Sequence, residues 1–192
     1  FNDRNTFYIE NVELNKNFKI KNFKSLEAEF YNTKKYKNDI SITNKNNLIT
    51  VSSDNLDISL NIENVLKKSE KISVIDAFEK LNSKVKINIK SAKIDNDYSF
   101  NNLFGDAIIK NNKLNKANIS AKFDSKNKFL YTKDKIEGNK VTTIFSDVAK
   151  PFVKKFNFIN GFEDGKLDYT STEISNNLSQ SELRIYDFKL QD

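Results

Sequence analysis

Short runs in which apolar and polar residues alternate recur along most of the chain. A period of two is typical of β-strands, because successive side chains point to opposite faces of a sheet. The runs are Ile40–Ile42, Leu56–Ile62, Val85–Ile89, Ile119–Phe123, Val141–Phe145, Leu167–Tyr169 and Leu183–Ile185. Each has one apolar and one polar face, which predicts an antiparallel sheet with one side covered and the other in water.

Turn-forming residues separate these runs. Asn44–Asn47, Asn111–Lys113 and Gly138–Asn139 each stand between two alternating segments. Asparagine and glycine tolerate the positive φ angles that tight hairpins require. The pattern therefore predicts three hairpins at these positions.

Two segments have the spacing of amphipathic helices instead. The first is Val65–Leu81, although Asp76 is an alternative start for a separate short helix within it. The second is Ser146–Phe158, where Ser146 or Asp147 is a suitable N-cap. The fold class predicted is mostly β: an extended, curved antiparallel sheet with two or three short amphipathic helices.

An approximate internal repeat runs through this pattern. Residues 18–82 and 98–160 both contain several strands followed by a helical segment, and closing strands follow over residues 163–192. Repetition of this kind builds extended sheets. Chance similarity in a sequence rich in Asn, Lys and Ile is the alternative explanation. We interpret residues 1–192 as a single domain.

The net charge of +6 comes almost entirely from lysine, since only Arg4 and Arg184 are arginines. Nucleic-acid recognition usually relies on the bidentate guanidinium of arginine. The lysines are also interleaved with 26 acidic residues rather than gathered in one stripe. We predict no nucleic-acid partner, although a lysine surface that binds anionic lipid or nucleic acid is a rival hypothesis.

The chain contains no cysteine and no histidine. This composition excludes thiolate and imidazole metal sites, cysteine nucleophiles and histidine-based triads. Asp95 and Asp97 resemble the start of a calcium loop, but the required glycine and distal glutamate are missing. We predict no catalytic residue, no cofactor and no metal, and therefore no enzymatic activity.

No apolar run in the sequence is long enough to span a membrane as a helix. The chain begins at Phe1 and contains no methionine. We interpret it as a fragment of a larger protein.

The alternating strands outnumber the helices available to cover them, which predicts that part of an apolar sheet face stays uncovered. Monomeric proteins seldom expose such a face without a ligand. The candidate lining residues of an apolar groove are Ile58, Leu60, Val85, Ile87, Ile89, Ile119, Phe123, Val141, Phe145, Leu167, Leu183 and Ile185.

The C-terminal part of the sequence resembles the C-terminal region of AsmA-like proteins, a group that includes the AsmA, YhdP and TamB types. The resemblance rests on four segments: Ser146–Phe152 (SDVAKPF), Phe156–Gly161 (FNFING), Gly165–Tyr169 (GKLDY) and Leu183–Leu190 (LRIYDFKL). It covers residues 56–192 and extends to the beginning of the chain by pattern only.

This resemblance implies a long β-groove in the periplasm of a Gram-negative bacterium, within a parent protein anchored in the inner membrane. The implied function is non-catalytic movement of phospholipid between the inner and outer membranes. The implied partners are phospholipid acyl chains, the rest of the parent chain and the membranes at its ends. The alternative is a structural or interaction domain that supports the cell envelope and has no open lipid groove.

Overall fold

The computed structural model describes residues 5–33, 35–59, 74–156, 162–175 and 178–190. These residues form thirteen β-strands, a 3-10 helix at Val74–Ala77 and an α-helix, α1, at Lys150–Phe156. The strands are β1 Thr6–Glu10, β2 Glu13–Leu14, β3 Ile20–Asn22, β4 Ser25–Tyr31, β5 Lys37–Lys45, β6 Leu48–Asp57, β7 Ser83–Lys93, β8 Ser99–Lys110, β9 Lys113–Lys122, β10 Lys128–Ile136, β11 Asn139–Ser146, β12 Phe162–Ser175 and β13 Leu178–Leu190.

Eleven of the strands form one open sheet in the order β1-β4-β5-β6-β7-β8-β9-β10-β11-β12-β13. The remaining two, β2 and β3, pair with each other outside it. From β4 onward, sequence order is therefore the same as spatial order. The prediction of a mostly β fold is confirmed.

The sheet is mixed rather than purely antiparallel. β6 and β7 run parallel, with Ile49 opposite Val85 and Val51 opposite Ile87. β7 starts beside the start of β6, with Leu48 opposite Lys84, so the chain crosses back along the sheet between these two strands. Parallel neighbours require such a crossover, whereas the other pairs are antiparallel.

Two of the predicted hairpins have the expected turns. Asn46 and Asn47 have φ angles of 52° and 60°, and Asn111 and Asn112 have 50° and 60°. Two consecutive positive φ angles match the twist of the flanking strands. The third turn lies one residue earlier than predicted, at Glu137 and Gly138.

The predicted helices are only partly present. α1 is the only α-helix lying wholly within the described residues, so the expectation of two or three is wrong for that part of the chain. Residues 60–73, which carry most of the predicted helix over 65–81, lie outside the described residues. Val74–Ala77 forms a 3-10 turn instead of an α-helix.

α1 begins later than predicted because Ser146 and Asp147 remain bound to the sheet. Ser146 is the last residue of β11 and is fully buried. The Asp147 N–H donates to the Lys128 carbonyl at 3.0 Å, which extends the pairing of β10 and β11. The first turn closes instead on the Ala149 carbonyl, which accepts from the N–H groups of Phe152 and Val153.

The two ranges of the predicted repeat differ in detail. In residues 18–82, β3 lies outside the large sheet and β6 leads directly into the crossover. In residues 98–160, β8 belongs to the large sheet, and two strands, β10 and β11, precede α1. The repeat stays a prediction.

Candidate functional site

An apolar stripe crosses the whole eleven-strand sheet on one face. Each of its members lies directly opposite the next in the register of the paired strands. In order from β1 to β13 they are Ile9, Leu26, Ile42, Val51, Ile87, Gly105, Ile119, Tyr131, Ile144, Tyr169 and Leu183. Strands with a period of two place residues in such a row on the same face.

The stripe is long and only partly covered. At about 4.8 Å between neighbouring strands, a row of eleven strands is about 48 Å long. Ile144 is buried, while the other members keep part of their surface accessible. Burial raises the pKa of the Tyr131 hydroxyl, as expected for a phenol surrounded by apolar side chains.

Two rims border the stripe at opposite ends of the strands. The helix rim consists of α1 and the preceding residue Ala149. Ala149, Phe152 and Val153 pack with Phe100 and Phe129 in one buried cluster. Phe152 stacks on Phe129 with ring centroids 5.6 Å apart.

The hairpin rim lies at the other end. It consists of β2, β3 and the residues around the 3-10 helix, where Phe78 packs against Phe23 at 5.9 Å between ring centroids. Its cluster includes Val85, at the start of β7. Ile87 and Tyr131 contact both clusters, so these two members of the stripe lie between the rims.

The opposite face of the sheet is mostly polar and charged. Cross-strand ion pairs lie on it, including Lys37 with Glu29 at 3.1 Å and Lys90 with Asp54 at 2.8 Å. An exception is Phe104 on β8, which is 54% exposed. The sheet therefore has one apolar and one mainly water-facing side.

Three of the predicted groove residues, Ile87, Ile119 and Leu183, belong to the apolar stripe. Others lie on the same face but beside the stripe, and most of these are buried: Val85, Ile89, Leu167 and Ile185. Ile58 and Phe123 pack against the cluster of the helix rim. Leu60 lies outside the described residues.

Val141 and Phe145 do not face the stripe. On β11 it is Ile144 that lies opposite Tyr131 and Tyr169, and its neighbours in the strand point to the other face. The prediction that Val141 and Phe145 line the same apolar face as the other groove candidates is therefore wrong. Since β11 has apolar residues at both parities, alternation alone does not decide which face is buried.

Sequence reasoning also missed members of the stripe. Ile9, Leu26, Val51 and Tyr131 were not candidates, although Val51 and Tyr131 stand in strands with apolar neighbours. The sequence does not show which face of a strand a tyrosine occupies, because its ring is apolar and its hydroxyl is polar. The register with Ile119 and Ile144 is what identifies Tyr131.

A polar cluster holds the end of β6 against β5 and the β4–β5 connection. The Asp57 carboxylate accepts hydrogen bonds from Asn32 Nδ2 at 2.7 Å and from the Ser59 N–H at 3.0 Å. The Asp57 N–H donates to the Oδ1 atom of Asn38 at 2.7 Å, and Asn38 is only 1% exposed. These groups satisfy one another's hydrogen bonds, so we assign the cluster a structural role.

This cluster makes stability depend on pH. Desolvation favours the neutral form of Asp57, but hydrogen bonds from Ser59 and Asn32 and the charge of Lys93 outweigh it, so its pKa lies below the ordinary value of 3.8. A lowered folded-state pKa contributes stability above the unfolded-state pKa, and this is lost as pH falls through the folded-state value. We therefore expect Asp57→Asn to lose less stability than wild type between pH 7 and pH 3 in urea unfolding. An equal loss in both proteins would contradict this assignment.

Asp95, one of the two aspartates considered for metal binding, has backbone hydrogen-bond partners. The Asp95 carboxylate accepts from the N–H groups of Asp97 and Tyr98, both at 2.8 Å. Over the described ranges, no group of three or more acidic side chains is arranged to hold a metal ion. Within the same ranges, no helix has the length and apolar character to cross a membrane.

Comparisons of this chain with protein-family models, with curated proteins and with solved structures gave no match.

Proposed function

We propose that this chain is a non-catalytic lipid-binding module in which the apolar stripe receives the acyl chains of phospholipids. The observation that carries the proposal is the continuity of the stripe: each of the eleven strands contributes an apolar or aromatic side chain or, at Gly105, a glycine. A closed core does not require a continuous row that reaches both edges of an open sheet. A surface along which an apolar chain lies does require one.

The dimensions and chemistry of the stripe fit an acyl chain. Its length of about 48 Å exceeds the roughly 30 Å of a bilayer's hydrocarbon core. Transfer of an acyl chain from water to an apolar surface is favourable by about 0.8 kcal/mol for each buried CH₂ group. The headgroup of such a lipid would remain in water, because the stripe carries no charged side chain with which a headgroup could pair.

The mechanism would be passive. A row of aliphatic and aromatic side chains has no directional contacts that fix one lipid position, so an acyl chain moves along it with little change in free energy. No residue acts as an acid, base or nucleophile in this proposal. The resemblance to AsmA-like proteins extends the proposal to a β-groove between the inner and outer membranes, within a periplasmic parent protein.

The test is native mass spectrometry of the purified chain combined with lipid extraction. We expect co-purified phospholipid in the wild type and at least about a tenfold lower lipid content in Ile87→Asp, since losing contact with two CH₂ groups costs about 1.6 kcal/mol. Ile87 lies at the centre of the stripe between the two rims.

Asn88→Asp is the matched control. It places the same carboxylate one residue further along β7, on the exposed opposite face, so the lipid content should stay at the wild-type level. Circular dichroism of both variants checks that the sheet persists. Lipid-free wild type, or equal lipid in both variants, would contradict the proposal.

One observation favours the second candidate, a structural or interaction domain without an open groove. Several residues beside the stripe are nearly fully buried, including Val85 at 8% exposure, Ile89 at 5% and Leu167 at 3%. In this alternative the two rims close over the face and the stripe is part of a core. A lipid-free, stably folded wild type would support it.

A further inference from the structure

β13 is a long strand at the edge of the sheet. It extends from Leu178 to Leu190, and among the strands that the structure describes it pairs with β12 alone. Several of its apolar side chains are exposed, among them Leu178 at 57% and Phe188 at 42%. An edge strand of this length presents a row of free N–H and C=O groups that another strand can use.

Two of the four charged residues of β13 lie symmetrically about Leu183, whereas Asp187 and Lys189 do not. Glu182 and Arg184 flank Leu183, and both are exposed, with the Arg184 Nε atom 2.7 Å from Glu182 Oε1. Charged residues on an edge usually prevent pairing with another strand. An acid and a base placed symmetrically about one residue are the exception, because an antiparallel copy of the strand places each of these two charges opposite its counter-ion. In this register Asp187 lies opposite the uncharged Ser179.

We propose that two copies of this chain pair through β13 in an antiparallel register with Leu183 opposite Leu183 of the second copy. This register places Glu182 opposite Arg184 of the other chain, twice. It also places the exposed Leu178 level with Phe188 of the second copy. Such a self-complementary contact is the ordinary geometry of a two-fold symmetric dimer.

The register also joins the two sheets on the same face. Leu183 is the last member of the apolar stripe at this edge, and a two-fold axis normal to the sheet keeps both stripes on one side. The dimer would therefore have a single sheet of twenty-two strands with one uninterrupted apolar row. This inference does not depend on what the row binds.

Charge reversal tests the register. We expect sedimentation to show a wild-type dimer and Glu182→Arg to dimerise at least about tenfold more weakly, because arginine then faces arginine at both contacts. The double variant Glu182→Arg with Arg184→Glu restores the opposition of charges and should restore the dimer. Glu137→Arg, in the exposed turn after β10, makes the same charge change away from this edge and should leave the dimer intact.

A cysteine cross-link gives a second, independent test, since the chain contains no cysteine of its own. Directly opposite residues in antiparallel strands have Cα atoms about 4.5–5.5 Å apart, which is within disulfide range. Leu183→Cys should therefore form a covalent dimer on mild oxidation.

Leu178→Cys is the matched control for the cross-link, because its partner in this register is Phe188 and the two cysteines lie far apart. Three outcomes overturn the proposal: a monomeric wild type, a dimer unaffected by Glu182→Arg, or efficient cross-linking through position 178 but not 183. Open-ended association that grows with concentration would indicate pairing of β13 with β1 and would overturn it as well.

Discussion

Gly105→Ala is expected to destabilise the protein by about 2–4 kcal/mol, because the added methyl group has no space. A Cβ atom at this position would lie 2.2 Å from the carbonyl oxygen of Asn118 and 2.7 Å from the Cα atom of Ile119. Both atoms belong to the backbone of β9, so neither can rotate away. Relief requires the two central strands β8 and β9 to separate, which breaks the hydrogen bonds between them.

Urea unfolding monitored by circular dichroism measures this effect. Gly138→Ala is the control, because the space around Gly138 is open and its substitution costs only the strain of a positive φ angle, about 1–2 kcal/mol. If Gly105→Ala unfolded at the same urea concentration as wild type, this result would contradict the close contact between Gly105 and the backbone of β9.

Phe152→Ala is expected to cost about 3–5 kcal/mol, the usual range for truncating a buried phenylalanine. Phe152 is 3% exposed and stacks on Phe129, which in turn packs against Phe100 at 4.6 Å between ring centroids. Removing the ring leaves a cavity between α1 and the sheet. Since Phe152 is the largest buried side chain among the described side chains of α1, we also expect the helix to detach before the sheet unfolds.

The control for this prediction is Phe104→Ala, which removes the same side chain from the exposed face of β8. Phe104 is 54% exposed, so its truncation should change the free energy of unfolding by less than about 1 kcal/mol. Similar losses in the free energy of unfolding for Phe152→Ala and Phe104→Ala would show that the packing of Phe152 between α1 and the sheet does not stabilise the protein. Hydrogen exchange of the α1 amides would report detachment directly.

The local features of the fold could be predicted from the sequence because they depend on neighbouring residues. The alternation over Val85–Ile89 predicts β7, and the asparagine pairs at 46–47 and 111–112 predict the turns. Alternation does not specify which strand lies beside which. The parallel pairing of β6 with β7 requires a crossover between them. The helical pattern over Val65–Leu81, between two strands, is compatible with such a crossover, but alternation alone predicts antiparallel pairing throughout.

The candidate site was predictable only in part for the same reason. Ile87 and Ile119 stand in runs with a single apolar parity, so their face was unambiguous. In β11, Phe145 and Ile144 are adjacent and both apolar, and only the register with β10 and β12 decides between them. The buried position of Ser146 at the end of β11 could not be predicted either, because a serine before a proline-containing segment is typical of a helix cap.

The parallel junction between β6 and β7 has a consequence for the order in which the chain folds. The strands from β7 to β11 follow one another through short turns, so their contacts are local and form quickly. Pairing β7 with β6 must first bring together two strands that residues 58–82 separate along the chain, which carries a larger entropy loss. We therefore expect the sections on either side of this junction to acquire structure separately, and their joining to limit the refolding rate.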